Sequence, residues 1–448
     1  VKRLVTAACV VALLGLGVTA HTHADNSSKT YRQFDKLIHV FERVRAEYVE
    51  EIDEEDVIEA AINGMLASLD PHSSYMGPDS FRAMQTQTDG EFGGLGIEVQ
   101  MENGLVKVVA PIDDTPADEA GVEGGDLIVE IDGEQVLGLT LQEALDKMRG
   151  PVGAPITITI LREGVDEPFD VDIVRGTIKI RSVRHRIEDE TVGYLRIATF
   201  NRQTISGLEA SIEKLREELG DSMTGIVLDL RGNPGGLLDQ AVAVSDAFLN
   251  YGEIVSTRGR HRSDIERYPA RAGDVTDGLP VIVLMNAYSA SASEIVAGAL
   301  QDHRRATILG TQSFGKGTVQ TIIPLSGEAA MRLTTARYYT PSGRSIQEHG
   351  ITPDVKVEQP RIRRDGEEEE EEETPRPSPR READLRGHLE NDQGEGGEDE
   401  IIFEDAELPK RDVVATSVDT EELKDYQLGY ALSLLRGIAK ERSELALN

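Results

Sequence analysis

Two short apolar runs, Gly225-Ile-Val-Leu-Asp-Leu230 and Pro280-Val-Ile-Val-Leu-Met285, constrain this chain most. Neither alternates apolar with polar residues, so each reads as a buried strand rather than one with a wet face. A turn rich in small residues follows each, then a helical stretch, Leu237 to Phe248 in one case and Ser293 to Leu300 in the other. Strand, glycine turn and helix in repetition predict an α/β core, whose compact region runs from about Ile180 to Glu358.

The chain has 448 residues, enough for two or three domains. Lys and Arg total 47 against 81 Asp and Glu, a net charge of −34, which repels nucleic acid and anionic lipid. Val1-Lys-Arg3, an uncharged stretch from Leu4 to Ala20, and Thr22-His-Ala24 before Asp25 form an export signal. Cleavage after Ala20 or Ala24, or retention as a single anchor, all fit that pattern. The one cysteine, Cys9, lies in this apolar run, so the mature chain has no disulfide.

Asn286-Ala-Tyr-Ser-Ala-Ser291-Ala-Ser-Glu294-Ile and Thr311-Gln-Ser-Phe-Gly-Lys316-Gly-Thr-Val-Gln320 carry the chemistry. A serine hydroxyl needs a base to become a nucleophile, and a lysine serves when burial keeps its amine neutral. Small neighbours around Ser291 let a substrate backbone approach closely, and the glycines beside Lys316 allow a tight turn. These segments resemble the carboxyl-terminal processing peptidases, also called tail-specific proteases. The resemblance extends to Leu228-Asp-Leu-Arg-Gly-Asn-Pro-Gly-Gly236, Thr340-Pro-Ser-Gly-Arg344 and Gly350-Ile-Thr-Pro-Asp354, and covers most of residues 30 to 358 and the C-terminal helix.

Phe92-Gly-Gly-Leu-Gly96-Ile-Glu-Val, alternating Leu105, Val106 and Val108, the Asp132-Gly133 hairpin signal and a Thr140/Glu143 capping box make a small strand-rich module with one helix. That module resembles a PDZ domain. A peptide would add as a strand beside the one starting at Leu95, its terminal carboxylate held by the backbone N–H groups of Leu95, Gly96 and Ile97. The expected organisation is an α/β protease core with an inserted PDZ domain and helical segments at both ends. Its bounds are a signal peptide at 1–24, an N-terminal helical segment at 25–88, PDZ at 89–166, a serine protease core at 167–358, an acidic disordered linker at 359–412 and a C-terminal helical segment at 413–448. The linker carries a glutamate run from Glu367 to Glu373 and too little apolar surface to order itself. Asp419 with Glu422 would open the last helix, whose stripe of Leu423, Tyr426, Tyr430, Leu434 and Ile438 would pack in a homo-oligomer or on the body.

The resemblance implies a role for each residue. Ser291 is the nucleophile, Lys316 the base, and Gln320 orients the lysine where a carboxylate would oppose its deprotonation. The Ala292 N–H at a helix start is one oxyanion donor, and Gly235 or Gly236 supplies the other. Arg149 links the PDZ module to the catalytic site in relatives; its plainer reading is a basic residue at a helix end. Asp302 reads as structural. Gly310 to Lys316 also fits a phosphate-binding GxxxxGK loop, but Gly317 stands where magnesium needs Ser or Thr, and a strand follows instead of a helix. The histidines show no HExxH or paired spacing, and no metal or other cofactor is expected. The expected protein is a periplasmic serine endopeptidase acting on proteins with apolar C-termini, with a lipoprotein adaptor as partner by analogy to relatives. The alternative is an inert PDZ scaffold at the envelope.

Overall fold

A computed structural model describes residues 29–359, 379–394 and 425–446. The expected signal, the glutamate run and the Asp419/Glu422 cap lie outside the described residues. The chain divides into two units, residues 1–67 and 68–448.

Of the first unit, two helices are described, 29–47 and Glu54–Ala67. Asp53 caps the second, its Oδ1 accepting from the N–H groups of Glu55 (2.9 Å) and Asp56 (3.3 Å). In the first helix Phe34, Leu37 and Ile38, at helical spacing, are each more than half exposed.

In the second unit the α/β core is a six-stranded sheet. Val183–Glu188 pairs antiparallel with Val192–Ile197, after which Gly225–Asp229, Val281–Met285, Ala306–Gly310 and Val355–Lys356 follow in parallel. The two unbroken apolar runs are central, and every residue of both strands is buried. Alternation sorts their side chains to opposite faces. Ile226, Leu228, Val281, Val283 and Met285 join a core with the helices Thr204–Leu219, Leu238–Phe248 and Ala292–Asp302. Val227, Ile282 and Leu284 meet the C-terminal helix Tyr426–Ala446 on the other face.

That helix buries Leu428, Ala431, Leu432 and Leu435, an i, i+3, i+4, i+7 stripe, while Tyr426, Tyr430 and Leu434 flank it. The seam is therefore rotated from the expected stripe, and it packs on the body. Gly225 makes the approach possible, since a Cβ there would lie 2.7 Å from Leu435 Cδ2 and 3.2 Å from Pro280 O.

The PDZ-like module is a separate six-stranded antiparallel sheet with its own core of Val106, Val108, Ile128, Ile158 and Ile160. Asp132 and Gly133, at φ 50° and 77°, turn Leu127–Ile131 into Glu134–Gln135, and the Thr140/Glu143 capping box opens the helix Leu141–Met148. The sheet ends with Phe169–Val174, which moves the expected boundary at 166 outward. Chain leading into and out of the module is clamped, because Glu91–Gly94 pairs with Gly176–Lys179.

A further five-stranded sheet contains Ser74–Met76, Glu253–Gly259, Ile265–Pro269, Thr318–Pro324 and Ala330–Tyr339. The expected disordered linker needs correction. Residues 379–394, inside it, are folded against the core, with Glu382 fully buried. They hold through polar contacts rather than apolar burial, which a hydrophobicity argument does not register.

Candidate active site

Three adjacent parallel strands end at the same edge, and the loops leaving them converge there. Gly225–Asp229 leads to Arg231-Gly-Asn-Pro-Gly-Gly236, Val281–Met285 to Ser291, and Ala306–Gly310 to Lys316. Asn233 O accepts from the Ala290 N–H (3.0 Å) and Ser293 Oγ (3.0 Å), and Ser289 Oγ donates to Leu230 O (2.9 Å). Asp229 and Asp425 fix the outer side of the first loop through Arg231.

Ser291 precedes the helix Ala292–Asp302 and is 8% exposed. Its φ of 55° and ψ of −113° are costly for an L-residue and are maintained by its surroundings. Glu294 is the principal support. One carboxylate oxygen accepts from the Ser291 N–H (2.7 Å) and the Lys316 N–H (3.0 Å), the other from the Gly315 N–H (2.7 Å) and Ser313 Oγ (2.5 Å). Burial pushes its pKa up to about 7, opposed by these four donors. Tyr338, also buried, adjoins the Ser291 side chain; burial raises its phenol well above the ordinary range, with the serine bond acting the other way.

The loop geometry separates the two glycine candidates. The Gly235 N–H donates to Asn233 Oδ1 (2.8 Å). The N–H groups of Gly236 and Ala292 make no hydrogen bond among the described residues, as an oxyanion donor requires. Gly235 has a different role: a Cβ there would lie 2.8 Å from Ser291 Cβ and 3.0 Å from Ala292 N. Only glycine leaves Ser291 and the neighbouring amide uncovered.

Lys316 is largely buried, and burial lowers its pKa. Glu382, Glu294 and Asp70 act to raise it, and Arg332 to lower it. Gln320 Nε2 donates to Thr318 Oγ1 (3.0 Å) and Thr334 Oγ1 (3.4 Å), rather than bonding Lys316. Thr334 Oγ1 in turn donates to the buried Asp70 (3.1 Å). Asp302 is used structurally, accepting from the Ser342 N–H (2.9 Å) beside Arg344.

Comparison with known proteins gives the family. Residues 191–357 match peptidase family S41, residues 107–162 a PDZ domain, and residues 17–80 the N-terminal domain of the activating protease CtpB. A carboxy-terminal-processing protease of Bartonella bacilliformis is 54% identical over 92% of this chain and 90% of its own length. The chain belongs to peptidase family S41, the carboxy-terminal processing proteases. CtpA of Bacillus subtilis is 34% identical, over 73% of this chain and 70% of its own. Among solved structures, the photosystem II D1 C-terminal processing protease is 28% identical, covering 72% of this chain and 92% of its own at a TM-score of 0.42. The molecule is thus a serine peptidase carrying a PDZ domain.

In the peptidase's PDZ domain, Ile97–Glu102 is an edge strand, with one side open for strand addition. The N–H groups of Leu95 and Gly96 donate to nothing among the described residues, and Ile97 opens the strand. Gly96 has φ 83°, and a side chain there would collide with Thr115, whose Oγ1 bonds Gly96 O (3.1 Å). Arg149 terminates the helix Leu141–Met148, 5.1 Å above the Phe92 ring and 3.9 Å from Asp146. Its contacts therefore lie within the module and its connecting strand.

Glu294, Asp70, Tyr338 and Glu382 carry no local sequence signal for their contacts at this site. A Ser-x-x-Glu capping signal does mark Ser291 and Glu294, but the reach of Glu294 to the lysine loop spans another strand.

Proposed function

We propose that the peptidase cleaves proteins delivered by their C-terminal tails, with Ser291 as nucleophile and Lys316 as general base. The observation that carries this reading is the Glu294 carboxylate, which accepts from the main-chain N–H groups of both residues and so fixes the two loops to one another. Neutral Lys316 Nζ takes the hydroxyl proton as Ser291 Oγ attacks the scissile carbonyl. The N–H groups of Ala292 and Gly236 hold the resulting oxyanion. As the C–N bond breaks, the lysine returns its proton to the departing amine, leaving an acyl-enzyme; water then repeats the attack with the same base. Gln320, through Thr318 and Thr334, orders the strand beside the lysine.

The PDZ groove takes an apolar C-terminus, its carboxylate on the N–H groups of Leu95, Gly96 and Ile97. An export signal at 1–24 directs this activity to the periplasm, where a lipoprotein adaptor and a second copy of the chain are its proposed partners. Cleavage of an unfolded polypeptide ending in an apolar tail, with chelator present and nucleotide absent, tests the reading. Wild type is expected to cleave, Ser291→Ala and Lys316→Ala to lose at least about a thousandfold in kcat, and amidation of the tail to raise KM. Undiminished cleavage by Ser291→Ala would overturn it.

A further inference from the structure

The segment 381–393 lies in the acidic tract, yet it makes a dense set of contacts with the loops around Lys316. The Glu382 N–H donates to Phe314 O (3.0 Å), two residues before the lysine. The Glu382 carboxylate accepts from Gln347 Nε2 (3.1 Å), whose own Oε1 accepts from the Gly317 N–H (2.9 Å), one residue after it. His72 Nε2 completes the cluster at 2.9 Å from both carboxylate oxygens. Farther along, His388 Nε2 meets Glu348 Oε1 (2.7 Å), and the Glu348 N–H donates to Gly315 O (2.9 Å). Asn391 Nδ2 donates to Gln347 O (2.7 Å), and Gln393 Oε1 accepts from the Ser345 N–H (2.8 Å).

We propose that residues 381–393 are a clasp that makes the catalytic site competent, and that Glu382 is a positioning residue acting on the loop that carries Lys316. This rests on Lys316 being the general base. Phe314 and Gly317 are both pinned, directly or through Gln347, by one carboxylate-bearing residue, so the loop cannot swing without uncovering a fully buried charge. The lysine is faced by Glu382 from the clasp, Arg332 from the strand Ala330–Tyr339, Glu294 from the helix and Asp70 from the turn before Ser74. Glu382 is faced by His72, and its charge also reaches His388, whose pKa is raised by the Leu385 carbonyl first and then by Glu348 and Glu382. The negative charge of Glu382 favours protonated Lys316, so the clasp couples loop geometry to the pH at which the base becomes neutral.

The test is the pH profile of kcat/KM for the full chain and for Glu382→Gln and Glu382→Ala, with amide exchange of residues 313–318. Glu382→Gln is nearly isosteric and removes the charge; its acid limb is expected to move to lower pH. Glu382→Ala should lose about tenfold or more in kcat with KM little changed, and its 313–318 amides should exchange faster. Higher activity in Glu382→Ala would make the clasp an inhibitory cover and overturn the proposal. An unmoved acid limb in Glu382→Gln, with unchanged exchange in Glu382→Ala, would also overturn it. If Glu382→Ala fails to fold, the profile of Glu382→Gln decides alone. Failure of the underlying reading is visible separately, as activity retained in Lys316→Ala.

Discussion

At Ser291 the backbone pays for the position of the side chain. A left-handed φ with ψ near −113° suits glycine better than serine, and the Glu294 carboxylate retains it. Ser291→Gly is therefore expected to be about 1 kcal/mol more stable than Ser291→Ala, measurable by denaturant unfolding independently of activity; equal stabilities would show that the conformation is not strained. Lys316 makes a second stability prediction. Burial lowers its pKa below the ordinary lysine value, so the unfolded chain binds more protons than the folded one between the two values, and stability contributed at this site rises with pH. Lys316→Met should thus unfold at higher denaturant than wild type at pH 7, with the gap closing as pH approaches the ordinary lysine value of 10.5. A constant gap across that range would contradict it. The proposed nucleophile and base were legible as candidates because Ser291 and Lys316 sit in contiguous motifs of small residues. The choice between Gly235 and Gly236 was not, because it depends on where the Asn233 side chain turns.

Among the elements, the central strands were readable from their unbroken apolar runs, since burial on both faces removes the polar alternation. The C-terminal helix was readable as a helix but not in its rotation: Tyr426, Tyr430 and Leu434 recur at helical spacing as Leu428, Leu432 and Leu435 do, and the choice depends on the sheet face across the interface, where Val227, Ile282 and Leu284 pack on the latter and Gly225 leaves room for Leu435. Leu435, fully buried, anchors that seam. Leu435→Ala should cost about 2–5 kcal/mol, read from the denaturant midpoint; a loss under about 0.5 kcal/mol would mean that the helix is not part of the cooperative core. The clasp was illegible for a different reason. Its sequence, Glu382-Ala-Asp-Leu-Arg-Gly-His-Leu389, has neither strand nor helix periodicity, and it is held by side chains meeting carbonyls and amides far away in the chain.

For the whole molecule, the two cores divide the labour. The PDZ sheet offers an open edge, and the paired strands Glu91–Gly94 and Gly176–Lys179 hold together the chain that enters and leaves it. The loops of the candidate site sit at the carboxyl ends of three parallel strands, where the topology gathers Gly236, Ser291 and Lys316 from distant parts of the sequence. The central claim is that Ser291 is acylated with Lys316 as its base. Intact-mass analysis of the full chain, quenched in acid during turnover of a tailed substrate, tests this most directly. The account predicts an adduct that maps to the peptide containing Ser291 in wild type and is absent from Lys316→Ala. An adduct on another residue, or undiminished acylation of Ser291 in Lys316→Ala, would contradict it.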